Sequence, residues 1–117
     1  MESFISEAIS YRFDSDVNPM SDFFSTEEME NRIHEQEEFS KKGISQMVIV
    51  HPRSIKVDGS KVSFNAERII LVQNLRSTLP FSLEATISIV DRSQNNPYGV
   101  KIEELKEIKA TQKEVSN

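Results

Sequence analysis

Hydrophobic and polar positions change their period near Gly43. Before it, Phe4/Ile5, Ala8/Ile9 and Phe13 recur three to four residues apart. That spacing predicts a helix with one buried apolar stripe. Asp14, Ser15, Asp16, Asn18 and Pro19 then collect turn-forming chemistry and predict a loop to Ser21. Ser25-Thr26-Glu27-Glu28 has the pattern of a capping box, with Ser25 as N-cap and Glu28 three residues on. It predicts a second helix ending at Gly43. Met29, Ile33 and Phe39 would supply its apolar edge, while Glu30, Glu35, Glu37 and Glu38 would face water.

After Gly43 the period is that of strands. Residues 44–57 hold Ile44, Val48, Ile49, Val50, Ile55 and Val57, with Pro52 limiting the pairing near the middle. Asp58-Gly59-Ser60 predicts a hairpin turn, and a returning strand runs from Lys61 to about Leu75. Arg76-Ser77-Thr78 is expected to connect it to a third strand, in which Phe81, Leu83, Ala85, Ile87 and Ile89 alternate strictly. A turn over 93–99 precedes a fourth strand from Val100 to about Ile108. Short links make the strands antiparallel, and their single apolar face needs the N-terminal helices as a cover. The expected fold class is α+β: helices packed against a curved, four-stranded antiparallel sheet. One domain spans 1–110, and 111–117 is expected to be a polar, flexible tail.

Composition narrows the chemistry. A chain of 117 residues can bury one self-sufficient core, and its 37% hydrophobic content leaves much sequence for loops and exposed faces. Without cysteine there are no disulfides, thiolate metal sites or thiol nucleophiles. The net charge is −5 with lysine and arginine scattered, so the basic face that phosphate binding requires is missing. No apolar run approaches the ~20 residues of a membrane span, and Met1-Glu2-Ser3-Phe4 does not open a signal peptide.

Few groups converge for catalysis. His34 and Glu38 lie four apart on the second helix, which is too little for a metal site. His51 precedes Pro52 and has no identifiable orienting partner. Gly43, Gly59 and Gly99 are too dispersed to cradle a phosphate, and the acidic run 27–38 lacks the spacing of a calcium loop. No metal or cofactor is called for.

Asn96-Pro97-Tyr98-Gly99 satisfies the preferences of a type I turn: Asn first, Pro second, Gly fourth. Arg92 stands just before it, at the expected end of a strand, and Val100-Lys101-Ile102 opens the final strand after it. This arrangement resembles the periplasmic domain of the eighth component of the VirB secretion apparatus, whose family carries an Asn-Pro-x-Gly turn at this place. The order of elements is similar too, and the likeness runs from about Phe4 to Ile108. Residues 52–62 also resemble the first hairpin of conjugation-type relatives. Asn18-Pro19 echoes the motif but lacks its Gly.

The resemblance implies a nuclear-transport-factor-like cone and a non-catalytic scaffold of a type IV secretion or conjugation system. It implies a periplasmic location, with the inner-membrane anchor of the intact protein absent from this chain. Partners would be other channel subunits and a second copy in a weak homodimer, with no direct nucleic-acid contact. The candidate interaction residues are Arg92, Asn96, Pro97, Tyr98 and Gly99, with Tyr98 either turned outward as a contact or capping the core. Two other classes stay open. A cone of this kind could enclose an enzyme or ligand pocket lined by Phe64, Phe81 and Ile87, with Tyr11 and Asp14 at its mouth. The chain could also be a phage or virion structural domain.

Overall fold

The computed structural model describes residues 1–15 and 21–108. The loop around Asn18-Pro19 and the tail 111–117 lie outside the described residues. Helix α1 spans Glu2–Phe13, a 3-10 turn spans Ser21–Phe23, and helix α2 spans Thr26–Lys42. Strands follow at Ile44–Val50 (β1), Lys56–Asp58 (β2), Lys61–Val72 (β3), Leu75–Ile89 (β4) and Val100–Ile108 (β5). All pair antiparallel in the order β1-β3-β4-β5, with β2 beside the first residues of β3.

The expected α+β architecture is therefore present, with the first predicted strand divided. Pro52 opens a 3-10 turn at Pro52–Ser54 that separates β1 from β2, because proline cannot donate to a ladder and its fixed φ suits the first turn of a helix. The second hairpin also turns earlier than expected. Val72 pairs with Leu75, so Gln73-Asn74 is the turn, while Arg76, Ser77 and Thr78 belong to β4. Gln73 adopts a φ of 56°, a conformation that the sequence signals only when glycine or asparagine holds it.

Phe4, Ile5, Ala8, Ile9 and Phe13 of α1 are buried, as the spacing predicts. They meet Val48 and Val50 of β1, Val62, Phe64 and Ala66 of β3, Phe81, Leu83, Ala85 and Ile87 of β4, and Ile102 of β5. Phe64, Phe81 and Ile87 pack in this core rather than around an apolar pocket. Nor do Tyr11 and Asp14 wait at a mouth: the Tyr11 hydroxyl donates to Glu7, and the Asp14 carboxylate accepts from Ser10 Oγ and Val48 N.

Helix α2 departs most from expectation. Ser25 caps it, accepting from Glu28 N at 3.3 Å, and Gly43 ends it in the left-handed region. The Glu28 carboxylate does not reach back to Ser25 N, which already donates to Ile102 O. Instead Glu28 is buried, accepting from Arg12 Nε at 3.2 Å and Leu105 N at 3.1 Å. Glu35 turns inward too, accepting from Arg12 Nη1 at 3.0 Å and Gln46 Nε2 at 3.1 Å. Ile33, expected on the apolar edge, is exposed. This polar face caps α1: Arg32 Nε donates to Tyr11 O at 2.6 Å, and Gln36 and Gln46 both donate to Phe13 O. The last carbonyls of a helix have no partner within it, so α2 and β1 supply them.

Candidate functional site

The connection from β4 to β5 is tied closed at its base and fixed at its centre. Val90 N donates to Gly99 O at 3.0 Å, prolonging the ladder by one bond beyond Ile89 and Val100. Inside that frame Ser93 N donates to Asn96 O and Asn96 N donates back to Ser93 O. Gly99 N closes the four-residue turn on Asn96 O at 3.4 Å. Among the described residues Gln73 alone of the non-glycines has positive φ. Tyr98 therefore lacks the third-position geometry of a type II turn, in keeping with the type I preference of the sequence.

Asn96 is the anchor. It is 1% exposed, and its Nδ2 donates to Asp22 O at 3.0 Å and to Val100 O at 2.8 Å. One amide thus joins the turn to the 3-10 segment and to the start of β5. Gly99 has a φ of 68°, and a β-carbon there would lie 3.0 Å from both Val90 O and Arg92 Cγ. Backbone angle and space both call for glycine.

Tyr98 faces inward. Its ring meets Phe4 edge-on at 5.7 Å and Phe23 at 6.0 Å, and its hydroxyl donates to Glu7 Oε1 at 2.8 Å. The other oxygen of Glu7 accepts from Tyr11. Hydrogen bonding to Glu7, then burial and the carboxylate charge, raise the pKa of both tyrosines above the ordinary phenol value. Of the two orientations open in the sequence, the structure holds the core-capping one.

What the turn presents to solvent is Arg92, Pro97 and the loop residues 93–95, all exposed. Arg92 lies in the loop, three residues past the end of β4. Ile89 stands immediately beside the base of the turn. Its parity in the alternating strand predicts burial, yet it is 81% exposed. Strict alternation gave no sign that the helical cover stops before it. Glu7, which ties two tyrosines together, carries no sequence signal either.

The histidines belong elsewhere. His34 is exposed on α2, where Glu38 faces Lys41 and Lys42 at 4.0 and 3.9 Å. His51 Nε2 is 3.9 Å from Glu67 in a half-exposed pair. Among the described residues no three histidine or carboxylate side chains gather into a metal-binding group, and no helix is long and apolar enough to cross a membrane. The site can position a surface, but it brings no nucleophile and base together.

No protein-family model matches the chain, and no curated protein matches it in sequence. Solved structures do match its fold. CagV, a VirB8 homologue of the type IV secretion system of Helicobacter pylori, superposes with a TM-score of 0.64 at 15% identity, over 94% of this chain and 97% of its own. The VirB8 protein of Agrobacterium tumefaciens gives 0.68 at 13% identity, over 93% and 91%. The intermembrane space region of the chloroplast protein ARC6 gives 0.59 at 12%, over 93% and 94%. The chain thus has the fold that these VirB8 proteins and the ARC6 region share.

Proposed function

We propose that this chain is the periplasmic domain of an assembly factor in a type IV secretion or conjugation system, a non-catalytic scaffold that bridges channel subunits. The observation that carries the reading is the extent of the fold match: two VirB8-type domains are covered almost end to end, without a large insertion on either side. The same architecture in a chloroplast protein means that fold alone does not fix the role. The Asn96–Gly99 turn supplies the second support, because it stands where the sequence resemblance expects the family's turn.

In this reading the turn is a rigid mount. Asn96, Tyr98 and Gly99 hold it against α1 and the 3-10 segment, and it offers Arg92, Pro97 and the neighbouring Ile89 to another subunit. An aliphatic anchor beside an arginine suits the centre of a protein interface. The intact protein would reach the inner membrane through an anchor outside this chain, and the domain would be monomeric when dilute and weakly dimeric when concentrated.

The test is a transfer assay in the source cells, with the gene deleted and then restored as wild type, Arg92→Glu, Ile89→Ser or Gly99→Val. Deletion should abolish transfer and wild type should restore it. The two surface variants should lower transfer by about tenfold or more, the effect of losing ~1.4 kcal/mol of contact, while the purified domain keeps its melting temperature. Gly99→Val should also lose transfer with the core fold retained. Undiminished transfer in the deletion strain would sink the proposal, and full activity of both surface variants would remove the turn from it.

A further inference from the structure

The distal end of the β3–β4 hairpin has one side that no strand among the described residues covers. Strand β5 pairs with β4 only over Ser82–Ile89, so Leu75–Phe81 is bonded on its β3 side alone among the described residues. Leu75 to Pro80 are all exposed. The direction of the free groups follows from one bond. Ile87 N donates to Ser60 O at 2.8 Å, so odd residues of β4 direct N–H and C=O toward β3. The β3–β4 register is unbroken from there to Leu75, which leaves the even residues pointing outward. Arg76 and Thr78 therefore present both N–H and C=O, and Pro80 presents C=O only.

Side chains around this edge are mostly apolar and cationic. Residues 68–81 contain no carboxylate, in a chain with 19 acidic residues, but do contain Arg68 and Arg76, and the one bordering acid, Glu67 opposite Pro80, faces His51 at 3.9 Å. On the helix-side face the edge offers Leu75 and Leu79. Arg68 stacks over the Phe81 ring at 3.9 Å, which carries its guanidinium across to β4, and its buried Nε has no hydrogen-bond partner among the described residues. On the outer face Arg76 shares a shallow groove with Met47, Ile49, Ile69 and Leu71.

From these features we infer that the Leu75–Phe81 edge is a docking site for an extended polypeptide strand from another protein, one carrying aliphatic side chains and carboxylates. The added strand would run antiparallel and bond to Arg76, Thr78 and Pro80. Aliphatic groups would cover Leu75 and Leu79, and carboxylates opposite Arg76 and Phe81 would meet Arg76 and Arg68. Charge complementarity names the partner: the patch is cationic within an anionic chain, so acidic strands are drawn to it and the chain's own average surface is not. Open backbone groups favour a peptide over a lipid surface, since hydrocarbon would leave them unpaired. The site lies away from the Asn96 turn and does not depend on the secretion reading.

The test uses the full chain and a fluorescein-labelled, end-blocked heptapeptide, Glu-Val-Ile-Thr-Val-Glu-Val, read by polarisation and amide hydrogen exchange. Saturable binding is expected, with slowed exchange at Arg76 and Thr78. A peptide with lysine for both glutamates should bind about tenfold weaker or worse, and Arg76→Glu should do the same to the acidic peptide. Thr78→Pro removes an outward donor without touching a β3 bond, as Pro80 already does, and should abolish binding while circular dichroism is retained. Arg92→Glu should leave binding unchanged, which separates this site from the turn. No saturation by about 1 mM would overturn the inference. So would binding only after removal of residues 109–117, which would make the chain's own tail the occupant. Two further results would reassign the edge: dimerisation lost in Thr78→Pro, to a second copy, or adsorption to phosphatidylglycerol vesicles lost in Arg76→Glu, to a lipid surface.

Discussion

Replacing Asn96 by alanine should cost more than any other single change in the β4–β5 connection outside glycine. The magnitude follows from what the amide does. Its Nδ2 serves two carbonyls, Asp22 O and Val100 O, from a side chain that is 1% exposed. A carbonyl left buried without a donor costs about 1–3 kcal/mol. If water reaches one of the two, the other sets the cost of Asn96→Ala at about 1–3 kcal/mol, a sizeable part of the 5–15 kcal/mol typical of a domain. At about 4 °C per kcal/mol, the melting temperature should fall by about 4–12 °C. Asn96→Asp should be at least as damaging at neutral pH, because a carboxylate oxygen would replace a donor facing two carbonyl oxygens. Asn95 is exposed one residue earlier, and Asn95→Ala should stay within about 0.5 kcal/mol of wild type. The assay is urea unfolding followed by far-ultraviolet circular dichroism, since the chain has no tryptophan. A loss below about 1 kcal/mol for Asn96→Ala, or wild-type stability for Asn96→Asp, would refute the assignment of this residue as the anchor.

Two further outcomes test the packing around α1. Glu28→Ala should destabilise the domain by about 3 kcal/mol, near the low end for a broken buried pair because Arg12 keeps Glu35; Glu38→Ala, whose carboxylate faces Lys41 and Lys42 on the surface, should change stability by less than about 0.5 kcal/mol in the same urea titration. Equal effects of the two would contradict the network. The second outcome is alkaline. Tyr11 and Tyr98 have folded-state pKa values above the ordinary 10.0, so their stabilisation is complete below the unfolded value and is lost as pH rises through the raised ones. Melting temperature should thus fall as pH passes about 10, and Glu7→Ala, which removes both the acceptor and the charge, should flatten that fall; an identical slope in the variant would show that Glu7 does not hold the phenols.

Where a local rule was sufficient, the sequence was readable. The Ser25 cap, the Gly43 stop, the Asp58-Gly59 hairpin and the alternation from Phe81 to Ile87 each rest on a preference that neighbouring residues satisfy by themselves. Illegible features depended on a distant partner. Glu28 and Glu35 look like part of a solvated charge run until Arg12, on another helix, draws them inward. Gln73 gives no warning of its positive φ, because the turn is imposed by the strands it joins. Ile89 has the parity of a core residue and misses the core only because the helical cover ends. At the turn, residue types announced the backbone geometry of Asn96 and Gly99, but the inward rotation of Tyr98 required Phe4, Phe23 and Glu7, far away in the chain.

Strand β4 is what would let one small domain hold the two proposed surfaces. It has 15 residues, while β3 has 12 and β5 has 9, so it overhangs its neighbour. The overhang leaves Leu75–Phe81 without a second partner among the described residues, and the other end runs into the Asn96 turn. From Thr78 to Ile89 is eleven residues, or roughly 36 Å at ~3.3 Å each. Two partners the width of a strand or a loop would not collide across that distance. Nor would they need the same kind of fit. The turn is pinned by buried bonds and can offer a fixed shape, whereas the open edge supplies backbone pairing that accepts many sequences of suitable charge. A scaffold that must meet several subunits gains from having one contact that selects by shape and another that selects by charge and extension.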